Sequence, residues 1–248
     1  MLQYLRSIIE RNITEKSFFL GFLRKAIIMN IFDIIGPVMV GPSSSHTAGA
    51  VKIGYISKKL LGEKVMKADI LLHGSFYETG KGHGTDRAIL AGILGMKTDD
   101  IRIPQSPEIA KNANLEYTIQ KTVLKNAHPN SVKLELTGES GRHMEIVASS
   151  IGGGEIKICE IDGLEANFNG EHPTLVVHNL DQPGYITDVT YMLGRKSINI
   201  ATMQLYRNRR GGDAVMIIEC DQEVPADSMD WLRHIDGIKD VTYLSMEA

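Results

Sequence analysis

The sharpest break in the sequence is Gly41-Pro42. Proline has no N–H and a fixed φ, so the apolar run from Ile31 to Val40, a short helix or strand, must end before it. The chain restarts as Ser43-Ser44-Ser45-His46-Thr47-Ala48-Gly49-Ala50, three serines, a histidine and a threonine among helix-compatible residues. Ser43 or Ser44 is a good N-cap, and the spacing predicts a helix over 44–61 with Val51, Tyr55 and Lys59 on one side. Hydroxyls and free N–H groups gathered at a helix N-terminus suit a small anionic group such as a carboxylate or phosphate. The same run also reads as a serine-rich cap with one surface histidine, and spacing alone does not separate the two.

A second dense run follows, from His73 through Gly74, Ser75, Phe76, Tyr77, Glu78, Thr79, Gly80, Lys81, Gly82, His83, Gly84 and Thr85 to Asp86 and Arg87. As a functional loop, its glycines at 80, 82 and 84 let backbone approach a ligand while His83 or Asp86 contacts it. As structure, it is a tight turn into a helix over 84–95, with Thr85 or Asp86 as N-cap. It is not a dinucleotide fingerprint, since the glycine spacing is wrong and no suitable acidic residue follows a next strand. Lys81 lacks the following Ser or Thr of a phosphate loop. His73, His128, His143 and His172 each read as core or surface histidines.

The remaining pattern is α+β. Strands are expected over 67–72, within 117–136 on either side of Asn126–Asn130, and over 146–151 and 155–161, a hairpin through Gly152-Gly153-Gly154. Residues 101–103 read as a short extended piece, Pro104-Gln105-Ser106-Pro107 as a turn that breaks the pattern, and 164–168 as an edge strand. Asn169–Pro173 is the best linker. Beyond it, strands at 174–179, 198–206, 214–219 and 238–244 alternate with helices after Gly184 and over 227–234, a βαββαβ order.

Composition narrows the function classes. A chain of 248 residues with 43% hydrophobic side chains builds one or two domains. Net charge −3 provides no basic surface for nucleic acid, and no run of like charge suggests an anionic membrane. Phe18–Leu23 is too short to span a bilayer. The cysteines, Cys159 and Cys220, fall in different expected strands without metal-ligand spacing, as free thiols of a reducing cytosol would. An iron-sulfur cluster takes about four protein ligands, mostly thiolates, so this chain cannot hold one alone. No Ser-x-Lys-x-Arg-Gly pattern of a pyridoxal enzyme is present.

Five islands in order, GPSSSHT at 41–47, TGKGHGTDRA at 79–88, HPN at 128–130, SIGGG at 150–154 and the βαββαβ terminus, resemble the beta chain or domain of iron-sulfur-dependent L-serine dehydratases (L-serine ammonia-lyases). The resemblance starts at Met29. It implies that Met29 is the natural initiator, with residues 1–28 an N-terminal extension, 29–170 an allosteric-substrate-binding-like serine dehydratase beta domain, and 174–248 a ferredoxin-like ACT domain. It further implies a cytoplasmic lyase of amino-acid degradation converting L-serine to pyruvate and ammonia, its 4Fe-4S cluster held by a separate alpha chain, with no metal in this one. By the same resemblance His46 is the catalytic base, and an imidazole near pKa ~6.5 is suited to moving a proton at neutral pH. Ser43, Ser44, Ser45, Thr47, Thr79, Gly80, His83 and Asp86 would bind substrate, and Asp181, Pro183 and Gly184 an effector of the ACT domain. The N-terminal part also resembles the allosteric substrate-binding domain of some phosphoglycerate dehydrogenases. That likeness keeps a second expectation open, a regulatory subunit that senses an amino acid and performs no catalysis.

Overall fold

The computed structural model describes residues 38–245. The N-terminal extension expected over 1–28, and the element expected over 31–40 except for its last three residues, lie outside them.

The first lobe begins with a helix that is continuous over 44–61: a π-helical turn, Ser44–Gly49, runs straight into α1, Ala50–Leu61. Strand β1 (Val65–His73) follows, then three short helices, α2 (Ser75–Glu78), α3 (Gly80–His83) and α4 (Thr85–Ile93), a 3-10 turn (Ile103–Gln105) and α5 (Ser106–Asn112). Strands β2 (Glu116–Thr122), β3 (Ser131–Gly138), β4 (His143–Gly152), β5 (Glu155–Ile161) and β6 (Leu164–Phe168) complete the lobe. They form one sheet in the order β2-β1-β3-β4-β5-β6, parallel only between β1 and β2.

Period-two alternation decides which face of this sheet is covered. Ala68, Ile70 and Leu72 of β1, Val132, Leu134 and Leu136 of β3, and Met144, Ile146 and Ala148 of β4 are buried in one core with α1 and α4. The alternate residues carry charge, and they pair along and across strands: Lys67 with Asp69 at 2.9 Å, Lys133 with Glu145 at 2.7 Å and with Glu135 at 3.0 Å. These charged residues are partly exposed, while Val147 and Ser149 of β4 on the same side are buried.

The second lobe runs β7 (Thr174–Leu180), α6 (Tyr185–Arg195), β8 (Ile200–Arg207), β9 (Asp213–Cys220), α7 (Ala226–Arg233) and β10 (Ile238–Leu244). Its antiparallel sheet has the order β10-β7-β9-β8, the ferredoxin-like arrangement of a βαββαβ unit. Leu175, Val177, Met216 and Ile218 face α6 and α7, packing on Val189, Leu193 and Leu232. The alternate residues Val176, Val215 and Ile217, with Leu244, join the core of the first lobe instead. Both faces of β7 and β9 are therefore covered, which is why these strands read as nearly unbroken apolar runs.

Two local expectations are corrected. The segment around residue 103 is a 3-10 turn rather than an extended piece, and Pro107 starts α5 rather than breaking the pattern. Both prolines sit in a first helical turn, where the missing N–H has no intrahelical partner to lose and the fixed φ is already helical. Among the described residues no helix is long and apolar enough to cross a membrane.

Candidate active site

The cap before α1 holds His46 in place. Ser43 is extended (φ −143°) and its Oγ accepts the His46 N–H at 3.1 Å, which stops the backbone unwinding at the first turn. The turn closes as a π-helix, with the Ala48 N–H reaching back to the Ser43 carbonyl at 3.3 Å. Such a π-helical turn is a departure found often at functional sites. The His46 side chain is only partly buried, whereas Thr47, Ala48 and Gly49 are inside.

Both nitrogens of the imidazole meet hydroxyls. Nδ1 lies 3.3 Å from Ser45 Oγ and Nε2 lies 3.1 Å from Ser75 Oγ. The ring stands edge-on to the fully buried Phe76, with centroids 5.6 Å apart, and 5.0 Å from the tilted ring of His83. Thr47 Oγ1 donates to the His83 carbonyl at 3.1 Å, so the two dense runs of the sequence are fastened to one another. Thr79 Oγ1 donates to the Ser75 carbonyl at 2.9 Å and stands 3.5 Å from Ser75 Oγ, while Ser43 and Ser45 hydroxyls are 3.5 Å apart. Ser44 opens the π-helical turn and Gly80 is buried at the start of α3.

Ser75 is the contact that the sequence reading passed over. It is the first residue of α2, directly after Gly74, which turns the chain at φ 52°. A Cβ at Gly74 would stand 2.7 Å from the Pro129 carbonyl oxygen, and that carbonyl accepts the Ser75 N–H at 2.8 Å. The His128-Pro129-Asn130 island thus positions Ser75 rather than touching the imidazole. The last residue of the island continues the linkage: the Asn130 carbonyl accepts the Ser150 N–H at 2.9 Å. Ser150 packs beside Gly49, where a Cβ would come within 2.8 Å of Ser150 Cβ and closer still to its Oγ. Glycine is required there by contact, since the π-helical turn rests directly on β4.

The electrostatics favour an uncharged ring. Burial lowers the pKa of His46 first and the neighbouring His83 lowers it further, while a hydrogen bond with the Ser75 backbone works the other way. At neutral pH one nitrogen therefore carries a lone pair, and the adjoining hydroxyls can donate or accept as the tautomer requires.

Other expected residues fall elsewhere. Neither Thr85 nor Asp86 caps α4; the cap is Gly84 in the left-handed region (φ 68°), Thr85 Oγ1 is buried without a partner, and Asp86 accepts its neighbour Arg87 N–H at 2.9 Å. A glycine at this cap leaves the following threonine inside the helix. In the second lobe the Asp181 carboxylate accepts from the Gly211 N–H at 2.9 Å and from Arg207 Nη1 at 2.8 Å, contacts that hold it below the usual carboxylate range. Pro183 and Gly184 are exposed beside it. Cys159 lies in β5 and Cys220 in β9, in different sheets, and among the described residues no group of three or more His, Cys, Asp or Glu could hold a metal ion. The described residues do not offer the ligand set of an iron-sulfur cluster.

A sequence profile described as the serine dehydratase beta chain matches residues 28–160. The probable L-serine dehydratase beta chain of Bacillus subtilis (strain 168) is 42% identical over 219 residues, 87% of this chain and 98% of that one. The L-serine dehydratase beta chain of Peptoniphilus asaccharolyticus is 42% identical over 192 residues, 77% of this chain and 86% of that one. The D-3-phosphoglycerate dehydrogenase of Methanocaldococcus jannaschii is 29% identical over 198 residues, 79% of this chain but 37% of that protein. A profile spanning more than half of the sequence and relatives matched over most of their own length agree: the chain belongs to the serine dehydratase beta chain family.

Proposed function

We propose that the chain is the beta subunit of a two-chain L-serine dehydratase, which converts L-serine to pyruvate and ammonia in a site shared with an alpha chain. The observation that carries this reading is the partly exposed His46 imidazole, kept uncharged and held at both nitrogens by Ser45 and Ser75. An imidazole buried under its own core could not serve a shared site. The 4Fe-4S cluster belongs in this reading to the alpha chain.

The chain's own residues have two tasks. The start of the 44–61 helix, with Ser43, Ser44, Ser45 and Thr47, receives the substrate carboxylate on hydroxyls and backbone N–H groups at the positive end of the helix. His46 takes the Cα proton with the lone pair of its unprotonated nitrogen, the substrate displacing the hydroxyl beside it; the C–H electrons become the Cα–Cβ double bond as the β-hydroxyl departs into the partner's half of the site. The resulting enamine takes up a proton at Cβ to become an imine, and water hydrolyses it to pyruvate and ammonia. Thr79, Gly80, His83 and Asp86 complete the grip on the substrate. Residues 29–170 form the catalytic lobe and 174–248 an ACT domain that binds an amino-acid effector at Asp181, Pro183 and Gly184, in a cytoplasmic enzyme.

Similarity to a D-3-phosphoglycerate dehydrogenase over 79% of the chain supports a second reading, a sensor whose hydroxyl cluster holds an effector and whose His46 moves no proton. Mixing purified beta and alpha chains and following pyruvate from L-serine tests the first reading. Each chain alone should be inert and the mixture active, and a beta chain active by itself would overturn the shared site. Near-normal turnover at saturating serine after His46→Ala, with assembly intact, would favour the sensor.

A further inference from the structure

Where the lobes meet, an open cavity of about 250 Å3 is lined by Asp162 and Leu164 of the β5–β6 hairpin, His178 and Asn179 at the end of β7, Asp213 at the start of β9 and Lys239 in β10. Neither His46 nor Asp181 lines it. Two of its residues carry a buried side-chain atom without a hydrogen-bond partner, His178 Nε2 and Asn179 Oδ1. Asn179 is only 3% exposed, and its Nδ2 is already used by the Leu180 carbonyl at 2.5 Å, so Oδ1 is left as a bare acceptor. Buried polar atoms in folded proteins are nearly always satisfied, by protein, water or a ligand.

The charges around the cavity are of both signs. Asp162 uses one oxygen to accept the Glu145 N–H at 2.8 Å, and Asp213 pairs with Lys239. His178 lies on the same face of β7 as Val176, toward the first lobe, and its pKa is lowered chiefly by burial. Asp162, Asp240 and Asp213 pull that pKa up and Arg142 pushes it down, without reversing the direction. An uncharged ring between acids and a lysine can donate or accept at Nε2.

We propose that this seam is a second small-molecule site, for an amino-acid-sized zwitterion. Its ammonium would sit on the Asp162 carboxylate, its carboxylate on Lys239, and a further polar group on His178 Nε2. The volume admits such a ligand: about 250 Å3 is more than glycine, alanine or serine fills, and the remainder holds water. Because the walls come from both lobes, an occupant stabilises the seam, and by linkage any change at the seam alters its affinity.

The test uses the full-length chain and the ring signals of His178, assigned by their loss in His178→Phe. Glycine, L-alanine and L-serine are titrated in turn while the His178 signals are followed by NMR. At least one should move them saturably. Lys239→Met and Asp162→Asn should each weaken that binding about tenfold, the loss of one charged hydrogen bond, and ethanolamine, which lacks the carboxylate, should bind about tenfold more weakly. His46→Ala should leave it unchanged, so the outcome does not depend on the catalytic reading. Asp162→Asn keeps an acceptor for the Glu145 N–H and so guards against a folding artefact. Signals that stay fixed to about 20 mM of all three probes would mean that water alone fills the cavity and would overturn the proposal. A shift abolished by His46→Ala but untouched by Lys239→Met would overturn it equally.

Discussion

Ser75→Ala removes one hydroxyl and leaves the turn beside it intact, since the backbone bond to Pro129 does not involve the side chain. The lost contact is 3.1 Å long, part-buried and between uncharged groups. Such a bond is worth about 1 kcal/mol net, a factor of about five. Turnover of the two-chain enzyme should therefore fall about fivefold with KM little changed, far less than the ~10²–10⁴ expected for losing the base itself. The titration of His46 supplies a sharper sign. Burial and His83 lower the pKa of the ring while a hydrogen bond with the Ser75 backbone, which Ser75→Ala keeps, works the other way, so His83→Gln should titrate at higher pH. Ring NMR on the full chain reads this. If His83→Gln leaves the His46 titration in place or moves it to lower pH, the ring is not held as described.

Three further outcomes follow from particular contacts. Gly49→Ala forces a Cβ against Ser150 and should cost about 1–3 kcal/mol of stability by overpacking, with Ser150→Gly in the same chain restoring part of it; an unchanged melting temperature would contradict the contact. Iodoacetamide at about pH 8 should label the partly exposed Cys159 and spare Cys220 until the chain unfolds, because burial, with Asp221 adding to it, pushes the Cys220 thiol up to about 11; equal labelling by mass spectrometry would refute this. His46 and His178 both titrate below the ordinary 6.5, so the stability they contribute is complete above that pH and is lost as pH falls through their folded values. Thermal unfolding should therefore occur earlier on acidification below pH 6.5, less steeply in His178→Phe, and the acid limb of kcat/KM should lie below 6.5.

What the sequence disclosed, it disclosed through local chemistry. Ser43 as cap, the helix over 44–61, the Gly152–Gly154 hairpin and the βαββαβ order each rest on a few adjacent residues or a single period. What stayed hidden depends on chain brought back from far away. Ser75 is 29 residues from His46 and is aimed by Pro129, a residue of a different loop, so no spacing rule could select it from the other serines. The parallel pairing of β1 with β2 and the sharing of Val176, Val215 and Ile217 with the first lobe are likewise long-range outcomes. The cap of α4 was misread because Thr85 and Asp86 are better cap formers than glycine in isolation, whereas a left-handed turn at that point admits Gly84.

The claim on which the account depends is that the His46 imidazole takes the substrate's Cα proton. Its most direct measurement is kcat at saturating L-serine for the His46→Ala beta chain assembled with its alpha chain, with assembly verified in the same sample. A fall of about 10² to 10⁴ is predicted, the worth of a positioned general base. A complex that forms normally and turns over within about twofold of the unsubstituted enzyme would contradict it.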